Sequence, residues 1–140
     1  MSSSSWQHYE HEADIGVHGI GTTKAEAFIQ ASLAMIAVIC ELDTIRPELK
    51  IDIDCKAPDD ELLLVDWLNA LIYQMSSHKL LFSRFEVEIE SGQLHGSAWS
   101  ENIDPARHQP AVEIKGATNT TLSVHQDDEG YWHAQTVVDV

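Results

Sequence analysis

The sequence predicts an α+β domain in which two helices pack on a mainly antiparallel sheet. Three observations carry this. Helical periodicity fills Thr23 to about Glu41 and Asp59 to about Ser76, both in the first part of the chain. Alternating apolar and polar residues recur from Phe85 onward, broken by turn signals at Ser91-Gly92 and Asp127-Asp128-Glu129-Gly130. Helices and strands are thus largely segregated rather than strictly alternating, the pattern of helices laid on an antiparallel sheet.

Residues 1–5 form a serine-rich start that is expected to be mobile, followed by a single domain over residues 6–140. Trp6 to Tyr9 and Ile15 to Ile20 read as short extended segments punctuated by Gly16, Gly19 and Gly21. Thr23-Lys24-Ala25-Glu26 is a capping box, a hydroxyl and a carboxylate that satisfy the first free amides of a helix. The first helix carries Phe28, Ile29, Leu33, Met35, Ile36, Val38 and Ile39, apolar on most sides, and is therefore expected to be largely buried.

Leu49, Ile51, Ile53 and Cys55 alternate with Lys50, Asp52 and Asp54, a half-buried strand. Pro58 precedes Asp59-Asp60-Glu61, acids placed where a helix N-terminus favours negative charge. The second helix has a core stripe of Leu64, Trp67, Leu68, Leu71 and Met75, and a polar stripe of Asp66, Asn69 and Tyr73 that reads as its wet face. Beyond Phe85–Glu90 and Leu94–Trp99 comes a polar loop from Asn102 to Pro110. Val112–Ala117 and Leu122–His125 are candidates for mutually paired strands, and Tyr131 to Val140 is the last strand.

The formal net charge of -15, with only 8 Lys and Arg, disfavours direct binding to nucleic acid, whose affinity comes from basic side chains neutralising phosphates. Cations or a basic partner protein fit better. Cys40 follows the apolar run of the first helix and Cys55 ends an alternating strand; both are expected to be buried free thiols, as suits a reducing cytoplasm. Met1 is followed by four serines with no basic or apolar stretch, so no secretory signal is expected. The longest apolar run, Leu33 to Cys40, is far below the roughly 18 residues of a membrane span.

No Gly-rich phosphate loop, G-x-S-x-G or H-E-x-x-H is present, and the eight histidines lack zinc-ligand spacing. The carboxylates are more informative. Asp139 lies next to Val140 in a strand whose Tyr131, His133, Gln135, Val137 and Asp139 share one face. Asp14 sits inside His11-Glu12-Ala13-Asp14-Ile15-Gly16, a run that becomes apolar. If the two terminal strands lie side by side, the acids converge and must share a proton, pair with a base or bind a cation. Oxygen donors suit a hard cation such as calcium or magnesium, with water or a partner completing the shell. The bland alternative leaves both acids solvated at strand ends. Lys115, among Val112, Ile114 and Ala117, is a further charge of interest, or simply a strand residue facing water.

The order of elements resembles the archease family. The matching stretches are His11–Gly16, Thr23–Phe28, Leu63–Leu71, Leu81–Glu90, Ile103–His108, Val112–Thr118 and Val138-Asp139-Val140. The resemblance implies a small acidic protein that is not an enzyme. Such a protein activates an RtcB-type RNA ligase of tRNA splicing, promoting its guanylylation and multiple turnover. The alternatives are a chaperone-like modulator of a tRNA methyltransferase and a small metal-dependent hydrolase. The resemblance also implies a metal site of Asp14, Asp139 and a main-chain oxygen of Val140, for calcium or another divalent cation such as magnesium or manganese, with Lys115 nearby. On this reading, residues added after Val140 are expected to weaken it. Two positions depart from the family pattern: Glu12 replaces the usual threonine, and Thr118-Asn119-Thr120 replaces a segment with an aromatic and a histidine.

Overall fold

The computed structural model describes residues 4–140. Its strands are β1 (Ser5–His11), β2 (Asp14–Gly21), β3 (Leu49–Lys56), β4 (Leu80–Glu90), β5 (Gln93–Asn102), β6 (Gly116–Ala117), β7 (Ser123–Gln126) and β8 (Trp132–Asp139). The helices are α1 (Lys24–Ile39), α2 (Asp60–His78) and the short α3 (Pro105–His108). The α+β class is as expected, but the strands divide into two antiparallel sheets rather than one. One runs β1-β2-β8-β6 with β7 also on β8; the other runs β3-β5-β4. The two long helices, α1 and α2, each touch both sheets. Ser5 already belongs to β1, and residues 1–3 of the expected mobile start lie outside the described residues.

Local chemistry fixes the helix ends. The Thr23 hydroxyl accepts from the Glu26 amide at 3.0 Å, and Asp59 Oδ1 accepts from the Leu62 amide at 2.8 Å. Pro58 and the acids after it therefore begin α2 as predicted. α1 stops two residues before Glu41, with Cys40 extended, and Lys79 in the left-handed region ends α2. Trp67 joins the helices: its indole N–H donates to the Ser32 hydroxyl at 2.8 Å, which donates to the Phe28 carbonyl at 2.8 Å. Trp67 and Phe28 are fully buried, so this short chain satisfies polar atoms that burial would otherwise penalise.

Gly19 lets β2 approach α1. A Cβ there would stand 2.2 Å from the Ala27 carbonyl oxygen and 2.3 Å from the Ala31 amide nitrogen, both main-chain atoms that cannot move aside. On the other face, the Tyr9 ring lies across Gly16, where a Cβ would stand 2.2 Å from the ring, and its hydroxyl meets Thr121 Oγ1 at 2.5 Å. Val137, on the more polar face of β8 by sequence, is only 1% exposed. Its cross-strand partner is Gly16, so it lies in the row that Tyr9 bridges.

The expected pairing of Val112–Ala117 with Leu122–His125 does not form. β6 and β7 instead occupy successive parts of one edge of β8, the edge left open by β2. Cys40 is buried and Cys55 half-buried; both are free thiols. Burial, with Asp66 and then Asp54 adding to it, pushes the Cys55 thiol up to about 11. Among the described residues, no helix is long and apolar enough to cross a membrane.

Candidate metal centre

The acid end of the five-stranded sheet is built by strand pairing. β2 and β8 run antiparallel with Ile15 opposite Val138, so one further step sets Asp14 against Asp139. Directly opposed residues share a face and have Cβ atoms about 5 Å apart. The Val140 amide contacts Asp14 Oδ1 at 3.4 Å. Asp14 is half-buried and Asp139 exposed. His11 stands opposite Asp14 in the β1–β2 register, so the row reads His11, Asp14, Asp139 across three strands. Glu12, at the hairpin turn between them, has φ 55°, a left-handed conformation that costs a non-glycine residue about 1 kcal/mol or more.

The donors are oxygens. The main-chain oxygen of Asp139 is taken by the Lys115 amide at 2.7 Å. That leaves the carboxylates of Asp14 and Asp139 and the main-chain oxygen of Val140. Among the described residues, neither acid has an ion pair with Lys, Arg or His. Adjacent carboxylates without a base are the arrangement in which a cation lowers the repulsion. The donor set fits a hard cation that keeps water ligands. Among the described residues, no three His, Cys, Asp or Glu side chains gather closely enough to hold a metal alone, so a cation at this end would need further ligands from solvent or a partner.

Lys115 is brought to this end by its main chain, while its side chain leaves on the other face. Gly116 pairs with Asp139, which puts Lys115 one step away, opposite Val140. The exposed Lys115 lines a cleft of about 400 Å³ with Asn69, Tyr73, Ser76 and Ser77 of α2. The polar stripe of α2 is therefore more than a wet face. Asn69 Oδ1 accepts from the Ala117 amide at 2.9 Å, and its Nδ2 donates to the Ala117 carbonyl at 3.4 Å. One side-chain amide thus stands in for a neighbouring strand on the free edge of β6. Thr118 adds two bonds to the Val137 carbonyl, from its amide at 3.0 Å and its hydroxyl at 2.8 Å.

A family model described as "Archease protein family (MTH1598/TM1083)" matches residues 6–140. The chain belongs to the archease family. It is 38% identical to protein archease of Pyrococcus furiosus over 96% of this chain and 98% of that one. It is 35% identical to protein archease of Methanosarcina mazei over 96% and 95%. The fold matches the solution structure of protein 1598 of Methanobacterium thermoautotrophicum with TM-score 0.77, at 23% identity over the whole of both chains. It also matches a Thermotoga maritima crystal structure described as "an archease, possible chaperone", with TM-score 0.62 at 17% identity over 96% of both chains.

Two groups of this archease were not singled out by sequence. Buried Glu101 at the end of β5 accepts from Arg107, from the Arg46 amide at 2.9 Å and from His108 Nε2 at 2.8 Å. The Arg107 hydrogen bond is the largest of the causes that hold its carboxyl at about 2. Residues 101–108 thereby lock to the turn after α1, where Arg107 also donates to the Thr44 carbonyl at 2.5 Å. A lone acid in an alternating strand gave no signal for this. The second group is a histidine chain on the outer face of the five-stranded sheet, through His18 and His133. Counting alternate residues in β2 and β8 places each on the outer face, but their meeting needs the strand order.

Proposed function

We propose that this archease holds a divalent cation, calcium or another such as magnesium or manganese, between Asp14 and Asp139. We further propose that it serves as a non-enzymatic partner of an RtcB-type RNA ligase in the cytoplasm, promoting ligase guanylylation and repeated turnover. The observation that carries the metal reading is the Asp14–Val140 contact, which aligns two acids that, among the described residues, form no ion pair, at one end of the sheet. The strongly negative chain supports action on a protein rather than direct contact with RNA.

Bound at this end of the sheet, a divalent cation would supply charge screening of the kind phosphoryl and nucleotidyl transfer requires. Asp14 and Asp139 hold the ligand oxygens in register, Asn69 fixes the β6 edge, and Lys115 presents a positive charge over the α2 cleft on the other face of the same strand end. The test is guanylylation of the ligase with wild-type archease and with Asp139→Ala. Stimulation by wild type and its loss in the variant supports the reading; equal stimulation contradicts it.

A second reading is a chaperone-like modulator of a tRNA methyltransferase. It draws on the "possible chaperone" description of the Thermotoga maritima structure. Co-purification separates the two, since a ligase or a methyltransferase comes down with the tagged protein.

A further inference from the structure

Four strands of the larger sheet are joined on its outer face by one row of side chains. Gln7 Nε2 meets His18 Nδ1 at 3.0 Å, His18 Nε2 meets His133 Nδ1 at 2.9 Å, and His133 Nε2 meets Asp127 Oδ2 at 2.7 Å. His125 of β7 stacks on His133 with ring centroids 4.9 Å apart and planes 5° from parallel. The chain therefore runs from β1 through β2 and β8 to the turn after β7.

The hydrogen-bond order fixes where the protons are. An ionised Asp127 only accepts, so His133 donates from Nε2. A neutral His133 then accepts at Nδ1, so His18 donates from Nε2. A neutral His18 in turn accepts at Nδ1 from the Gln7 amide. Every ring nitrogen has one role, and both histidines are Nε2–H tautomers.

One added proton can be held on His133 beside Asp127 only if His18 reverses its tautomer, which then faces the Gln7 amide hydrogens. A second proton places two N–H groups against each other across 2.9 Å. The groups facing this row are His125 from β7, Asp127 from the turn with Asp128 and Glu129 beyond it, and Tyr131 just before β8; β1 contributes the uncharged Gln7, with Tyr9 two residues along on the same face. Burial, and then the charges of His133 and His125, hold His18 below its ordinary value.

We propose that this row is a proton-sensitive latch that docks β7 and its following turn when both histidines are neutral and releases them on acidification. The turn depends on Asp127: its carboxylate accepts from the Glu129 and Tyr131 amides at 2.9 and 3.0 Å while also holding His133. β7 lies at a sheet edge and is four residues long; apart from this row it is held by its pairing with β8, by buried Val124 and by the Val124 amide donating to Glu61 Oε2 at 3.0 Å, so the turn at residues 127–130 is the part that depends most on the row. This latch is independent of the metal reading, since none of its members belongs to the acid end.

Two measurements test it. Long-range proton–nitrogen spectra of the wild-type protein at pH 7.5 should show His18 and His133 both as Nε2–H tautomers; an Nδ1–H tautomer in either overturns the proposal. Amide exchange, corrected for its intrinsic pH dependence, should rise about tenfold or more in residues 123–131 between pH 7.5 and 5.5 while α2 stays protected. The same rise should shrink to less than about twofold in His18→Gln, which can still donate to His133 but cannot be protonated. An equal rise in the variant, or no rise in the wild type, overturns the latch. If His18→Gln does not fold, the wild-type tautomers and exchange profile decide alone.

Discussion

The amide of Val140 reaches the carboxylate of Asp14 at 3.4 Å across 126 positions of sequence. The acids near the two ends of the chain are neighbours because β2 and β8 lie side by side, and among the described residues neither forms an ion pair with a base. The first consequence is a reversal of sign. Without divalent ions, Asp139→Asn removes one of two repelling charges and should raise the thermal midpoint slightly. With calcium at about 100 times its dissociation constant, the wild type should gain about 2.7 kcal/mol and the variant much less. Thermal melts with chelator and with calcium check both arms.

Asn69→Ala should cost about 1 kcal/mol, the net value of the hydrogen bonds lost at Ala117. Hydrogen exchange at the Ala117 amide should speed up more than at Val17, which lies in the core. Uniform acceleration would show that Asn69 does not hold the β6 edge specifically.

Glu101→Ala should cost about 3 kcal/mol, because it strands the buried His108 N–H and frees the Arg107 charge. The pH dependence follows from a carboxyl held at about 2, below its ordinary value of 4.5. Its stabilising contribution is complete above the ordinary value and is lost as pH falls toward 2. Urea denaturation between pH 6 and 2.5 should show a steeper acid loss in the wild type than in Glu101→Ala.

Gly19→Ala should be the more damaging of the two glycine substitutions on β2. Its Cβ meets α1 backbone, so the strand must shift, at roughly 3 kcal/mol. Gly16→Ala meets only the Tyr9 ring, which can swing away, at roughly 1 kcal/mol. Denaturation midpoints of the two variants give the order.

Both long helices were legible because period, cap and apolar stripe agree over many residues: Thr23 and Asp59 start them as expected, and the Leu64, Trp67, Leu68, Leu71, Met75 stripe is buried throughout. Asp14 and Asp139 are legible as a pair only if the strand that Asp14 begins lies beside the last strand, as β2 does beside β8. The division into two sheets was not legible, since alternation gives each strand its faces and not its partners. For the same reason β6 and β7 were matched to each other instead of to β8. Lys115 was placed in the right segment, but its side chain lies over the α2 cleft rather than in the row of the acids, a distinction of one residue of register. Glu101 and the His18–His133 contact depend on partners far along the chain, which local pattern does not encode.

Calorimetric titration of calcium into metal-free protein, for the wild type and Asp14→Asn, addresses the cation site most directly. The predicted result is one ion per chain in the wild type and a loss of affinity of roughly tenfold or more in the variant, as one of the two carboxylates that would touch the ion is removed. Identical isotherms for the two proteins, or no binding by the wild type, would contradict it.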